Sequence, residues 1–177
     1  MSQSKKIIFG LIGLGVIIVG FISYKVTNAC PTTREQKIVQ GDSLHGLLNN
    51  GTKVTAQMGY YKCHQAKAGD IVLYHYGGDP NPLIKVVRAV PGDRLALQTT
   101  SAGIHILVNG NVLTTSSGTP FNLLASSARL LELYVNDYHG AIPNNSYLIM
   151  GNLVGGSTDS SQFGLISGAD LLGKVEK

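Results

Sequence analysis

Residues Ile7 to Tyr24 form an apolar stretch of eighteen residues without a charge. As a helix rising about 1.5 Å per residue, the stretch would span about 27 Å, close to the thickness of the hydrocarbon core of a bilayer. Lys5 and Lys6 precede it, and the positive-inside tendency then predicts a cytoplasmic amino terminus. We therefore predict a cytoplasmic tail (1–6), a single transmembrane anchor (7–24) in the plasma (inner) membrane, and an outer or periplasmic location for the rest.

Two cleaved alternatives remain open for this segment, because secretory signals also begin with lysines and an apolar stretch. The small-residue cleavage site of a secretory signal would have to lie near Thr27 to Ala29. A lipoprotein signal would end at Cys30, although Thr27 and Asn28 stand where such signals usually carry a leucine and a small residue.

Beyond the anchor, residues 25–36 are polar and predict a stalk, and the remainder (37–177) has the pattern of strands. Apolar runs rich in β-branched and aromatic residues are separated by glycine, proline and asparagine, and the predicted strands are Ile71–Tyr74, Leu83–Val90, Ile104–Val108 and Tyr147–Met150. Asn109-Gly110 joins two alternating runs and predicts a two-residue hairpin. Apolar spacing of three and four predicts one helix over Leu123–Tyr134. The fold class is thus mainly β, with an antiparallel sheet behind one anchor.

Composition narrows the class further. Only 14% of the 177 residues are charged, with three glutamates and 22 glycines, which argues against a helix-dominated soluble protein, a coiled coil or a disordered chain. The net charge of +4 is mild, and we expect no nucleic-acid partner. Cys30 and Cys63 can pair if the outer compartment is oxidising, and their spacing fits no zinc pattern, so we expect no metal.

Ser43, in the segment GDSLHGLL, is the first candidate for chemistry. A serine hydroxyl needs a neighbouring base to take its proton. Lys85 lies in the apolar segment PLIKVVRAVPGD, where strand alternation places it on the same face as Leu83 and Val87. Such a lysine either extends its amine to solvent or is desolvated, and a desolvated lysine can be neutral and act as a base. The pattern alone leaves both interpretations open.

Four segments together resemble the conserved boxes of the type I signal peptidases. They are GDSLHGLL, AGDIVLYHY, PLIKVVRAVPGDRL and YLIMGNLVGGSTDSSQFG, in the order of the family and with similar internal spacing. The resemblance covers roughly residues 38–177. It implies a coiled, mostly antiparallel β domain with an apolar surface against the membrane and a shallow pocket for small side chains.

The resemblance also implies a role for individual residues. Ser43 corresponds to the nucleophile and Lys85 to the general base. Ser157 corresponds to the serine that orients the lysine amine, while Asp159 and Ser160 belong to the terminal box that supports it. The Ser43 N–H would bind the oxyanion, and Gly41 stands where many relatives carry a second, hydroxyl donor. No metal or cofactor is expected.

Several positions depart from the family pattern. The usual proline after the serine motif is replaced in His45-Gly46, and Val86 stands where an arginine often follows the lysine. Asn152-Leu153-Val154 replaces Asp-Asn-Arg, and Ser161 replaces the arginine expected to pair with Asp159. These departures suggest a divergent member, and the serine motif is also similar to that of peptidases that process pilin precursors in conjugative transfer.

The implied function is a membrane-bound serine endopeptidase that cleaves signal peptides, or a dedicated secreted or pilin precursor, after small residues. Its partners would be the preprotein and plasma membrane lipid, and its ester intermediate would be opened by water or by an amine. Two alternatives remain. One is a GDSL-type esterase using Ser43 and His139, although Asp137-Tyr138-His139 is one residue shorter than the usual Asp-x-x-His. The other is a non-catalytic, membrane-tethered binding module. The sequence alone assigns no role to the segment Thr114 to Tyr138.

Overall fold

The computed structural model describes residues 30–77 and 81–176. The predicted anchor (7–24) lies outside these residues. Within the described part, no helix has the length and apolarity needed to cross a bilayer. Every element below belongs to the compact unit Thr32–Lys177.

Eleven strands and two α-helices are formed by the described residues of this unit. The strands are β1 (Thr33–Ile38), β2 (Lys53–Met58), β3 (Ile71–Tyr74), β4 (Leu83–Ala89), β5 (Leu95–Thr100), β6 (Gly103–Val108), β7 (Asn111–Val112), β8 (Asn122–Leu123), β9 (Ser146–Met150), β10 (Ile166–Ser167) and β11 (Leu171–Glu176). The helices are α1 (Ala125–Asp137) and α2 (Ser160–Phe163), with 3₁₀ turns at Tyr60–Lys62 and Gly168–Asp170. The mainly β class is therefore confirmed.

The strands form two antiparallel sheets. The larger has the order β1-β2-β11-β3-β4-β9-β10, and the smaller has the order β5-β6-β7 with β8 also paired to β6. The four predicted strands are present with small shifts of their ends. Asn109 and Gly110 both have positive φ and link β6 to β7, as the hairpin prediction required.

Two boundaries differ from the sequence prediction. β1 includes residues 33–36, which belong to the predicted stalk, and it pairs with β2 along its whole length. The helix begins at Ala125 rather than at Leu123, because Asn122 and Leu123 pair with β6 instead, and it continues to Asp137. Ala128 and Leu131 of α1 are buried in the core that contains Leu95 and Ile106 of the smaller sheet, so this part of the unassigned segment 114–138 covers a sheet.

β4 is buried on both faces. Ile84 and Val86 belong to one apolar cluster, whereas Val87 belongs to another that also contains Val72 and Ile149. A strand covered on both faces needs an almost continuous apolar sequence. Burial on both faces explains the apolar run of residues around Lys85. A lysine is unusual in such a strand.

Polar contacts of Asp70 connect the start of β3 to β11 and to the segment before β3. Asp70, at the start of β3, accepts hydrogen bonds from Lys174 of β11 (2.7 Å), from the Tyr61 hydroxyl (3.1 Å) and from the Lys67 N–H (3.0 Å). The acidic residue of the Gly-Asp-Ile-Val segment therefore has a structural role.

Cys30 and Cys63 are both disulfide-bonded.

Candidate active site

Ser43 lies in the tight turn that follows β1. His45 N–H donates to the Asp42 carbonyl, and Leu48 N–H donates to the Leu44 carbonyl, each at 2.9 Å. The Leu44 side chain is fully buried and that of Leu48 nearly so, and both pack in the apolar core beneath the turn. The local sequence thus fixes the backbone that carries the Ser43 hydroxyl.

Lys85 lies in β4, opposite Val72 of β3. On the other side, the ladder with β9 ends at the pair Val86–Met150, so β9 stops one residue short of Lys85. The lysine amine lies 3.1 Å from Ser43 Oγ and donates to the Ile84 carbonyl at 3.0 Å. The structure therefore brings the two predicted dyad residues into hydrogen-bond contact.

The Lys85 side chain is only 3% exposed, so the amine does not extend to open solvent. This burial lowers the pKa of Lys85 below its ordinary value, because the protonated form loses its hydration. The carboxylate of Asp159 acts in the opposite direction and raises the pKa by a smaller amount. The net effect is a pKa of Lys85 below its ordinary value, which shifts the amine toward the neutral form that can accept a proton from a serine.

The terminal box begins at Gly151, directly after β9, and it packs against the serine turn. Asn152 N–H donates to the Ser43 carbonyl at 2.6 Å. A Cβ at Gly151 would lie 2.7 Å from both that carbonyl oxygen and Ser157 Oγ. Only glycine permits this approach, which explains why the box starts with one.

Ser157 is buried close to this contact. Among the described residues its hydroxyl has no hydrogen-bond partner, so the expected bond to the lysine amine is not formed in this structure. A buried hydroxyl without a partner is costly, and such groups are often found at functional sites. Its place beside Gly151 and the Ser43 carbonyl keeps it close to the dyad.

Hydrogen bonds of Asp159 and Ser160 stabilise the conformation of the terminal box. Asp159 accepts from Gly151 N–H (3.0 Å), from Ser161 N–H (3.0 Å) and from the Ser161 hydroxyl (2.7 Å), and it caps α2. Ser160 Oγ accepts from Ile149 N–H in β9 at 2.9 Å. Ser161, which stands where an arginine was expected, therefore supplies Asp159 with a neutral hydrogen-bond partner.

One residue near the site, Arg88, is not predicted as a site residue by the sequence. Arg88 donates to the Gly151 carbonyl at 3.0 Å and to Asn152 Oδ1 at 3.1 Å. The register of β4 on β9 shifts between Val87 and Ala89, so Arg88 lies at a β-bulge. Bulges re-aim side chains, and strict strand alternation gave no signal for this one.

Ser43 and Lys85 line an open cavity of about 560 Å³. One wall is the end of β1 and the residues after it (36–40), and the other is the start of β4 with its preceding loop (81–85). Val54 and Leu73 also contribute apolar lining. A cleft between two strand segments, with a hydroxyl and an amine at one end, is suited to an extended peptide.

His139, the alternative partner of Ser43, lies in the turn after α1 and does not line this cavity among the described residues. Its carbonyl accepts from Arg94 at 3.4 Å. No group of three or more potential metal ligands occurs in the described part of the chain. The side chain that the structure brings to Ser43 is therefore that of Lys85.

The sequence matches the family described as "Signal peptidase, peptidase S26" over residues 6–177. Signal peptidase IB from Staphylococcus aureus (strain COL) is 26% identical over 148 residues, which cover 77% of this chain and 73% of that protein. The same figures hold for signal peptidase IB of the Mu50 strain. A crystal structure of a signal peptidase I from Enterococcus faecalis is 20% identical, with a TM-score of 0.42, and covers 63% of this chain and 97% of its own.

The family match spans the serine turn, the lysine strand and the terminal box, which are the three parts that meet at the site. The chain therefore belongs to peptidase family S26, the signal peptidases, and is a serine peptidase.

Proposed function

We propose that Ser43 is the nucleophile and Lys85 the general base of a signal peptidase with a Ser-Lys dyad. The observation that carries this proposal is the 3.1 Å distance between Ser43 Oγ and a buried lysine amine. A hydroxyl at that distance can pass its proton to a neutral amine as it attacks a carbonyl carbon.

The reaction then follows from these two groups. Ser43 Oγ forms a bond to the scissile carbonyl carbon, and its proton moves to Lys85 Nζ. The resulting ammonium donates that proton to the leaving amine as the peptide bond breaks. Water, activated by the neutral amine, then opens the ester and restores Ser43; an amine in place of water would give transpeptidation.

The remaining site residues have supporting roles in this proposal. Within the described residues the Ser43 N–H donates no hydrogen bond, which leaves it available to the oxyanion. Ser157 would orient the lysine amine after a change of its side-chain rotamer that brings its hydroxyl within hydrogen-bond distance of the amine. Asp159 and Ser160 would hold the terminal box against β9, as their hydrogen bonds to Gly151 and Ile149 support. The chemistry requires no metal or cofactor.

The cleft beside the dyad supports a preprotein substrate that is bound in an extended form. The relatives are named signal peptidase IB, and we extend that activity to this chain: removal of signal peptides after small residues. A dedicated secreted or pilin precursor is the narrower form of the same proposal.

We further propose that residues 7–24 anchor the enzyme in the plasma membrane, with residues 1–6 in the cytoplasm and the peptidase domain (37–177) on the outer face. Three exposed apolar side chains support lipid contact close to the site. Leu124 is 75% exposed, and Leu153 and Val154 line a second cavity together with Ser157.

Cleavage of a preprotein by the purified full-length protein in detergent tests the function. With a small-x-small cleavage site in the substrate, we expect the wild-type protein to release the mature product. Ser43→Ala should reduce the rate by about 10³-fold or more, because it removes the hydroxyl that, among the described residues, hydrogen-bonds the Lys85 amine.

Two further variants separate the alternatives. Ser101→Ala, in an exposed turn, is the matched control and should retain wild-type activity. His139→Ala should also remain active, whereas a GDSL-type esterase would lose its activity. Full cleavage by Ser43→Ala would exclude the dyad, and a wild-type protein that binds but never cleaves would favour the binding module.

A further inference from the structure

Asn152 connects the parts of the chain that carry the dyad. Its backbone N–H donates to the carbonyl of the nucleophile Ser43 at 2.6 Å. Its side-chain Nδ2 donates to the His45 carbonyl and to Ser116 Oγ, each at 2.7 Å. The residue is 6% exposed, so these bonds are formed away from bulk water.

The side-chain oxygen of Asn152 forms the remaining hydrogen bonds of the amide. Oδ1 accepts from Ser116 N–H at 2.8 Å and from Arg88 Nη2 at 3.1 Å. An amide has two donor hydrogens and two acceptor positions, so this side chain is fully hydrogen-bonded. Its orientation follows from its partners, because the His45 carbonyl can only accept and the Ser116 N–H can only donate.

The hydrogen bonds of Asn152 extend to both segments that carry the dyad. On one side, Asn152 holds the carbonyls of Ser43 and His45, which flank the turn that carries the nucleophile. On the other, it binds Arg88, which lies in β4 three residues after Lys85. The serine turn and the lysine strand are far apart in sequence, and a single buried amide bridges them.

We propose that Asn152 is a positioning residue that sets the distance between Ser43 and Lys85, and that its amide donors are required for this. The proposal rests on the proposed dyad. It also gives a role to Ser116, at the start of the segment 114–138: this loop holds the amide in its orientation. Asn152 touches no reacting atom, and so its contribution is to the geometry.

Asn152→Asp is the most informative variant because it preserves shape and removes the donors. A carboxylate oxygen would then face the His45 carbonyl at about the former 2.7 Å and repel it. The same carboxylate would gain a charge pair with Arg88, which protects the fold. We therefore expect kcat to fall by about 10²-fold, with KM within about threefold of the wild-type value, because misplacing a reacting group slows the chemical step.

The comparison with Asn152→Ala separates positioning from packing. If the amide donors matter, both variants lose kcat to a similar extent. If Asn152 matters only as a partner of Arg88, then Asn152→Asp stays close to the wild-type kcat and Asn152→Ala alone is impaired, which would overturn the proposal. Asn111→Asp, in the exposed hairpin at β7, is the matched control and should have no effect.

Ser116→Ala covers the case in which the Asn152 variants do not fold. It removes one bond to the amide from an exposed loop, so we expect kcat to fall by about fivefold at constant KM; an unchanged kcat would contradict the proposal. All variants are assayed as full-length protein on the small-x-small preprotein. Absence of cleavage by the wild-type protein would instead refute the proposed function.

Discussion

Lys85→Met is expected to abolish preprotein cleavage and leave the fold intact. The methionine fills nearly the same volume in β4 but cannot take the proton of Ser43 Oγ, which lies 3.1 Å from the amine. Loss of a general base that also activates the nucleophile should lower kcat/KM by about 10³-fold or more. The measurement is the initial rate of product release from a preprotein with a small-x-small site.

The same substitution should make the protein more stable at neutral pH. Burial lowers the pKa of Lys85 in the folded state below its ordinary value of 10.5. At pH values between the folded-state pKa and 10.5, the unfolded state therefore binds more protons than the folded state. The free energy of unfolding contributed by this group therefore rises with pH across that window. The advantage of Lys85→Met should be largest at low pH and should shrink as the pH approaches 10.5.

Lys67→Met is the matched control because Lys67 is exposed in the turn before β3. It should leave cleavage at the wild-type rate. A Lys85→Met protein that retains activity, or that is less stable than the wild type at every pH, would contradict a desolvated base.

Gly151→Ala is expected to produce the second large effect. The added Cβ would lie 2.7 Å from the Ser43 carbonyl oxygen and from Ser157 Oγ, well inside van der Waals contact. The backbone oxygen cannot rotate away, so the serine turn must move relative to β4. We expect kcat to fall by about 10²-fold and the free energy of unfolding to fall by about 1–3 kcal/mol.

Gly77→Ala supplies the control, because a Cβ at Gly77 has no atom of the described residues within 4 Å. Its activity and denaturant midpoint should match those of the wild type. Normal cleavage by Gly151→Ala would mean that the turn tolerates displacement and that the close approach of the terminal box is not needed.

Much of the fold could be predicted from the sequence because β4, β6 and β9 carry strong local signals. Buried strands need apolar β-branched residues, and the Asn-Gly turn needs positive φ at both positions. β1 gave no such signal: it is an edge strand of residues that are mostly exposed, and its polar sequence resembles a linker. Its position depends on pairing with β2, which lies well separated along the chain.

The candidate site was predictable in part for a similar reason. Ser43 and Lys85 lie in segments with a family pattern, and the structure places them in contact. Arg88 could not be found by alternation because its direction is set by a bulge. The contacts of Asn152 could not be predicted either, because its four side-chain bonds connect three distant segments, and local sequence does not determine such contacts.

The protonation state of Lys85 tests the dyad most directly. Titration of the lysine ¹³Cε resonances by NMR, with the Lys85 signal identified by its absence in Lys85→Met, gives the pKa of the amine in the folded enzyme. We expect this pKa to lie below the ordinary lysine value of 10.5 and to coincide with the acid limb of the kcat/KM profile. A pKa of Lys85 at or above 10.5, or an acid limb at a clearly different pH, would contradict the role of Lys85 as the base.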